Sequence, residues 1–189
     1  MSKKSIVAVL NTSPETIIDD YSRLLDLARI QDTLNKTKTT FLKVNVSWQH
    51  YYPACSSAPW QIEGVGKKLI SEGFSDIISA HNGTVVVDPR EGREKNKHSE
   101  AENRLGIDHV ILDEPPVKWI PFSPKSKMLV LDKVYPDGLF IPETFIGTNI
   151  IHLPTVKTHV FTKMTGAMKN AFGGLLDRNR HWTHSVIHE

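Results

Sequence analysis

Lysines and histidines gather near the end of this chain, the lysines in a stretch free of acid. Between Glu143 and Asp177 no Asp or Glu occurs, yet Lys157, His159, Lys163 and Lys169 all fall in that interval. Arg178, Arg180, His181, His184 and His188 follow. Lysine supplies a positive charge that can hold a carboxylate or phosphate, and histidine passes protons near neutral pH. Such a stretch points to an anionic ligand, a metal, or both.

Spacing narrows the candidates. Lys157, Thr158 and His159 come just after Pro154, and in an extended segment Lys157 and His159 share a face. Lys169 and Asn170 precede Gly173 and Gly174. The glycines either end a helix or let a ligand approach the backbone. They lack the spacing of a phosphate-binding loop or a dinucleotide fingerprint. His181, His184 and His188 stand at i, i+3 and i+7, one stripe of a helix that suits zinc, nickel or iron. No carboxylate lies among them and no HExxH motif occurs, so a polar helix face is the plainer alternative. Upstream, Lys43 sits between Leu42 and Val44, with Asn45 two residues on. A lysine amid a buried strand needs a partner; on an edge strand it would simply face solvent.

These side chains need elements to position them. Ser5–Leu10 is an apolar run expected as a buried strand. Ser13 and Pro14 would open an amphipathic helix of about five turns running to Leu34. Thr40–Val46 is the next strand, followed by a polar, aromatic loop from Ser47 to Pro59. Trp60–Glu72 reads as a helix stopped by Gly73, although Gly64 and Gly66 weaken the pattern. Asp76–Ala80 is a further strand. Val85–Gly106 is charged and reads as a solvated excursion with a short helix. His109–Asp113 is a strand. Met128–Val134 and Leu139–Pro142 suggest a hairpin around Pro136-Asp137-Gly138. Asn149–Leu153 is expected as the last strand, and Thr162–Phe172 as a helix.

Alternation of this kind implies an α/β fold: three layers, a mainly parallel sheet with flanking helices, and a small β-hairpin excursion. Parallel strands would bring the ends bearing Lys43 and Asn45, His81-Asn82-Gly83, and Lys157 onto one rim, where open α/β sheets bind ligands.

Bulk properties set the outer limits. The 189 residues suffice for one α/β domain spanning 1–189. A net charge of +2 argues against general nucleic-acid binding. Cys55 is the sole cysteine, which favours a reducing, cytoplasmic setting. No apolar run approaches the roughly 20 residues of a membrane span. The pattern stops at Glu189 without a helix stop signal, as expected of a fragment of a longer domain.

The stretch LPTVKTHVFTKMTGAMKNAFGGLLDRNRHWTH resembles the signature of the bacterial and archaeal "domain of unknown function 362" family. That signature pairs a Lys-Thr-His element (Lys157, Thr158, His159) with Lys-Asn (Lys169, Asn170), a glycine pair (Gly173, Gly174) and a later histidine (His184). Lys43 and Asn45 match its early element. The resemblance covers roughly Thr40 to Glu189. It implies kinship with proteins often described as iron–sulfur-associated and running further with another α/β portion. It implies no settled reaction. Cys55 alone cannot hold an iron–sulfur cluster, so any redox step would need a cofactor or a redox partner from outside the chain; a homo-oligomer is the other partner expected. The expectation is a cleft binding a small anionic ligand, in a possible oxidoreductase-like enzyme. Lys43, Asn45, Lys157, Thr158, Lys169, Asn170, Gly173 and Gly174 would bind the ligand, and His159 and His184 would move protons. A histidine-based metal-binding protein and a non-enzymatic binding module are the alternatives.

Overall fold

The computed structural model describes residues 5–83 and 87–188. At its centre is a four-stranded parallel sheet of β1 (Thr40–Val44), β2 (Ile77–His81), β3 (Asp108–Ile111) and β6 (Asn149–Leu153), in the order β3-β2-β1-β6. All three pairings are parallel, with Lys43 beside Ala80 on one side and His152 on the other. β1 is buried along its whole length, as its apolar, β-branched composition requires of a central strand.

Helices cover both faces. α1 (Ile17–Leu27), α2 (Pro59–Ser71) and α4 (His98–Leu105) lie on one face, where Leu25, Ile62, Val65, Leu69 and Ala101 pack on Leu42, Val44, Ile77 and Leu153. Gly64 and Gly66 belong to this packing. A Cβ at Gly64 would lie 2.8 Å from Tyr21 Cβ, and one at Gly66 2.5 Å from Leu105 Cδ1. The glycines that weaken the helical pattern therefore allow α1 and α4 to close on α2. The other face holds Phe41, Ala80, Leu112, Val117 and Phe145, with Leu175 of α6 (Ala167–Leu175) against them. The architecture is the expected three-layer α/β fold.

Several expectations fail locally. Ser5–Leu10 is not a strand; both sides of β1 are already occupied by β2 and β6, and Val7 and Val9 are more than four-fifths exposed. The first helix stops at Leu27 because Arg29 adopts a left-handed conformation, and a short 3-10 turn, Ile30–Asp32, follows. Ser13 is not its cap: Thr16 occupies that position, without a side-chain cap bond.

The charged stretch after β2 also differs from a solvated excursion. Val85 and Val86 lie outside the described residues, but beyond them α3 (Pro89–Lys95) and α4 follow in succession. Asp88 caps α3 through Arg90 N and Glu91 N. His98 and Glu102 of α4 are wholly buried, and Glu102 takes a 2.6 Å ion pair from Arg93. Charge in the sequence here hides a buried helical face.

Leu139–Pro142 forms β5, but its antiparallel partner is β4 (Trp119–Phe122), not Met128–Val134. The latter region carries one helical turn, α5 (Leu131–Val134). β6 is not the last strand. Lys157–His159 and Lys163–Thr165 form an antiparallel hairpin, β7–β8, turning where Lys163 takes a positive φ. The helix expected from Thr162 consequently begins at Ala167.

Candidate functional site

The strand order creates the site. The chain builds outward from β1 through β2 to β3, then returns to the other side of β1 to lay down β6. After β1 it leaves to α2 on one face, and after β6 to α6 on the opposite face. The connections diverge there and leave a crevice at the carboxyl ends of β1 and β6, the switch point where such sheets bind ligands. A cavity of about 130 Å³ occupies this crevice. Lys43 and Val44 line it from β1, Asn45 and Val46 from the residues just after, Asn82 from just past β2, Pro154 from just past β6, and Thr165, Lys169, Asn170, Gly173 and Arg180 from the segment beyond.

Lys43 forms part of its wall. Its side chain is 4% exposed; Nζ donates to Val44 O at 3.0 Å and to Asn170 Oδ1 at 3.2 Å. Asn170 Nδ2 donates back to Lys43 O at 2.8 Å, so the two residues bind reciprocally. Burial and the nearby Arg180 charge push the Lys43 ammonium down to about 7, against a smaller opposing effect of Asp113. Lys169 is also held below its ordinary value, first by burial and then by Lys157 and Arg180. Arg180 is aimed by Asp113, with both guanidinium nitrogens 3.3 Å from its carboxylate oxygens, and it also donates to Gly83 O. A small space thus holds three cationic side chains and one nearby carboxylate. Asn82 and Thr165 add unspent polarity: each is more than nine-tenths buried, and neither side chain has a hydrogen-bond partner among the described residues.

The expected residues divide among three places. Lys43, Asn45, Lys169, Asn170 and Gly173 line the cavity, and Gly174 packs against the Lys43 side chain. Lys157 does not line it. Its ammonium is spent on the loop after β1, on Ser47 Oγ and Cys55 O, with Cys55 Sγ at 3.7 Å. Asn45 Nδ2 reaches the same two groups at 2.9 and 3.3 Å. That loop is itself anchored by His98 Nε2 on Ser57 O at 2.6 Å and Asn96 on Trp48 O at 2.8 Å, so α3 and α4 brace the site from behind. Thr158 is exposed on β7.

His159 and His184 stand together at the rim, with ring centroids 6.1 Å apart and Phe161 stacked on His184 at 4.3 Å. His159 Nδ1 accepts from Phe161 N and Thr162 N, so its neutral ring carries the proton on Nε2. Burial, then Lys169, holds both histidines below their usual value. His181, His184 and His188 do not form one stripe. Arg180–Val186 is a 3-10 helix; His188 bonds Phe161 O while His181 sits edge-on to Trp182.

Sequence reasoning missed Arg180, Asp113 and Thr165 as site components. Only the Arg180–Asp113 complementarity hinted at two of them, and those residues are 67 positions apart. Among the described residues no three His, Cys, Asp or Glu side chains gather as a metal site would require. Cys55 alone does not fit an iron–sulfur cluster. No helix among the described residues is long and apolar enough to cross a membrane.

Neither a curated protein nor a solved structure matches the chain. A family model does: that of the Domain of unknown function (DUF362) matches residues 40–189, from the first residue of β1 onward and so across the whole crevice. The chain belongs to the DUF362 family.

Proposed function

We propose that this protein binds a small anion, a carboxylate or a phosphate, in the switch-point cavity. The observation that carries this reading is the meeting of Lys43, Lys169 and Arg180 on one cavity of about 130 Å³. Such a concentration of positive charge is costly until an anion offsets it; burial first, and the neighbouring cations second, hold both lysines below their ordinary values. Lys169 and Arg180 hold the charge of the ligand. Asn82 and Thr165 offer the donors and acceptors that orient it.

On this reading the protein is enzyme-like, and His159 is the proton-transfer group at the rim, with Nε2–H as the acid and His184 beside it. An oxidoreductase-like step would draw its electrons from a partner or cofactor outside the chain. A reducing, cytoplasmic setting fits the single cysteine.

Calorimetric titration with inorganic phosphate and with pyruvate tests the binding. Arg180→Gln and Lys169→Met should each weaken it by roughly tenfold or more, as loss of a charge-assisted hydrogen bond implies. Affinity equal to wild type in both variants would remove this reading.

A further inference from the structure

We propose that Lys43 is a nucleophile. It would form an imine with the carbonyl carbon of a small oxo acid whose anionic group is held by Lys169 and Arg180. This rests on the anion-binding reading above and names the substrate class of that same cavity.

Three observations lead here. First, Lys43 is buried without a carboxylate: among the described residues no acid forms an ion pair with it, and the adjacent acid, Asp113, pairs with Arg180. A buried structural lysine is normally neutralised by a paired acid. Second, its two hydrogen bonds go to two acceptors, Val44 O and Asn170 Oδ1. A neutral amine has two N–H groups and one lone pair, so these acceptors hold both hydrogens and leave the lone pair free. Lys43 itself is a wall residue of the cavity. Third, Asn82 and Thr165 line the same cavity with buried polar atoms that have no partner among the described residues. They are suited to hold a carbonyl oxygen while it becomes a hydroxyl and leaves.

The chemistry balances without an oxidant. The Nζ lone pair forms a bond to the carbonyl carbon, and the carbonyl π electrons move to oxygen. Proton transfer from nitrogen to oxygen gives a carbinolamine. Loss of that hydroxyl as water, with a second proton from nitrogen, leaves a C=N bond. His152 occupies the register position beside Lys43 on β6, and its Nδ1 has no partner among the described residues. Burial, then the Lys43 charge, pushes it down to about 4, so it is a neutral imidazole able to accept a proton. Burial likewise pushes Lys43 down to about 7, leaving roughly half of it as free amine at neutral pH, where an ordinary lysine has less than a thousandth.

The test is reductive trapping. Wild-type protein is incubated at pH 7 with glyoxylate and sodium cyanoborohydride, then digested and mapped by mass spectrometry. The expected result is an adduct on the peptide carrying Lys43, exceeding that at any other lysine by roughly tenfold or more. Lys43→Arg should lose it, and Arg180→Gln should reduce trapping of glyoxylate but not of uncharged acetaldehyde. Adducts spread evenly over the lysines of the wild-type protein would overturn the proposal, and that comparison does not depend on any variant folding. Calorimetric binding of glyoxylate without trapping at Lys43 would overturn the imine and leave the anion site standing. Absence of both binding and trapping would overturn both.

Discussion

Gly174 is pressed against Lys43: a Cβ on this glycine would lie 2.3 Å from the lysine Cε and 3.0 Å from its Cδ. The lysine stem has sheet beneath it and α6 above it, so it has little room to yield. Gly174→Ala should destabilise the protein by about 1–3 kcal/mol, the usual range for overpacking. It should also displace the ammonium from Asn170. Urea unfolding gives the first effect, and calorimetric titration with phosphate should show weakened binding.

Lys43→Met should make the protein more stable near neutral pH while removing the preferential carbonyl adduct at this position. The folded-state value of Lys43, about 7, lies below the 10.5 of the exposed side chain. Between those values the unfolded chain binds more protons, so wild-type stability rises with pH across that window. The gain from the methionine should therefore be largest at pH 6–7, on the order of a few kcal/mol, and fade by about pH 10. Paired urea titrations at pH 6.5, 8 and 9.5 check this. A difference that is constant with pH would show that Lys43 titrates normally.

Acid should unfold this protein earlier than its carboxylates alone would. Burial, then the Lys43 charge, pushes His81 down to about 3 and His152 to about 4. Both lie below the ordinary 6.5, so the unfolded chain takes up protons that the folded one refuses. The part of the stability that depends on these two histidines is fully present above pH 6.5 and declines as pH falls toward 3–4. The urea midpoint should drop steadily from pH 7 to pH 4.5, and His152→Gln should flatten that slope.

Asn149 should prove a structural residue of unusual weight for its size. Its side chain accepts from Asn35 N at 3.1 Å and donates to Asn35 O at 2.8 Å and Thr40 Oγ1 at 2.9 Å. These bonds fasten the start of β6 to β1 and the loop before it. Asn149→Ala leaves buried groups unpaired and should cost about 1–3 kcal/mol, read from thermal or urea unfolding, with little change in phosphate affinity.

The parts of the fold visible in the sequence were those governed by local pattern. β1 shows as an apolar run, and Lys43 within it shows as a charge that needs a reason. Gly73 marks the end of α2 through its positive φ. Lys169, Asn170 and the glycine pair were legible as a group because they share one helix. What stayed hidden depends on partners distant in sequence. Ser5–Leu10 has strand composition but pairs with no strand and stays largely exposed. Leu139–Pro142 looked like half of a local hairpin, yet its partner lies across α5. β7–β8 are three residues each, too short for alternation to show. Lys157 and Lys43 looked alike as cations, but one is spent on a loop and the other lines the cavity. Only the fold separates them.

The reciprocal bonds between Lys43 and Asn170 close a span of 127 residues. One side of the crevice comes from the first strand of the sheet and the other from the helix that follows the last. The central sheet can therefore assemble before the cavity exists, and the lysine stays open to water until α6 docks. Long-range closures of this sort come late and are slow to form. Ligand binding would then act as a signature of completed folding: a chain with an intact sheet but an undocked α6 would give a normal strand signal and no affinity for the anion.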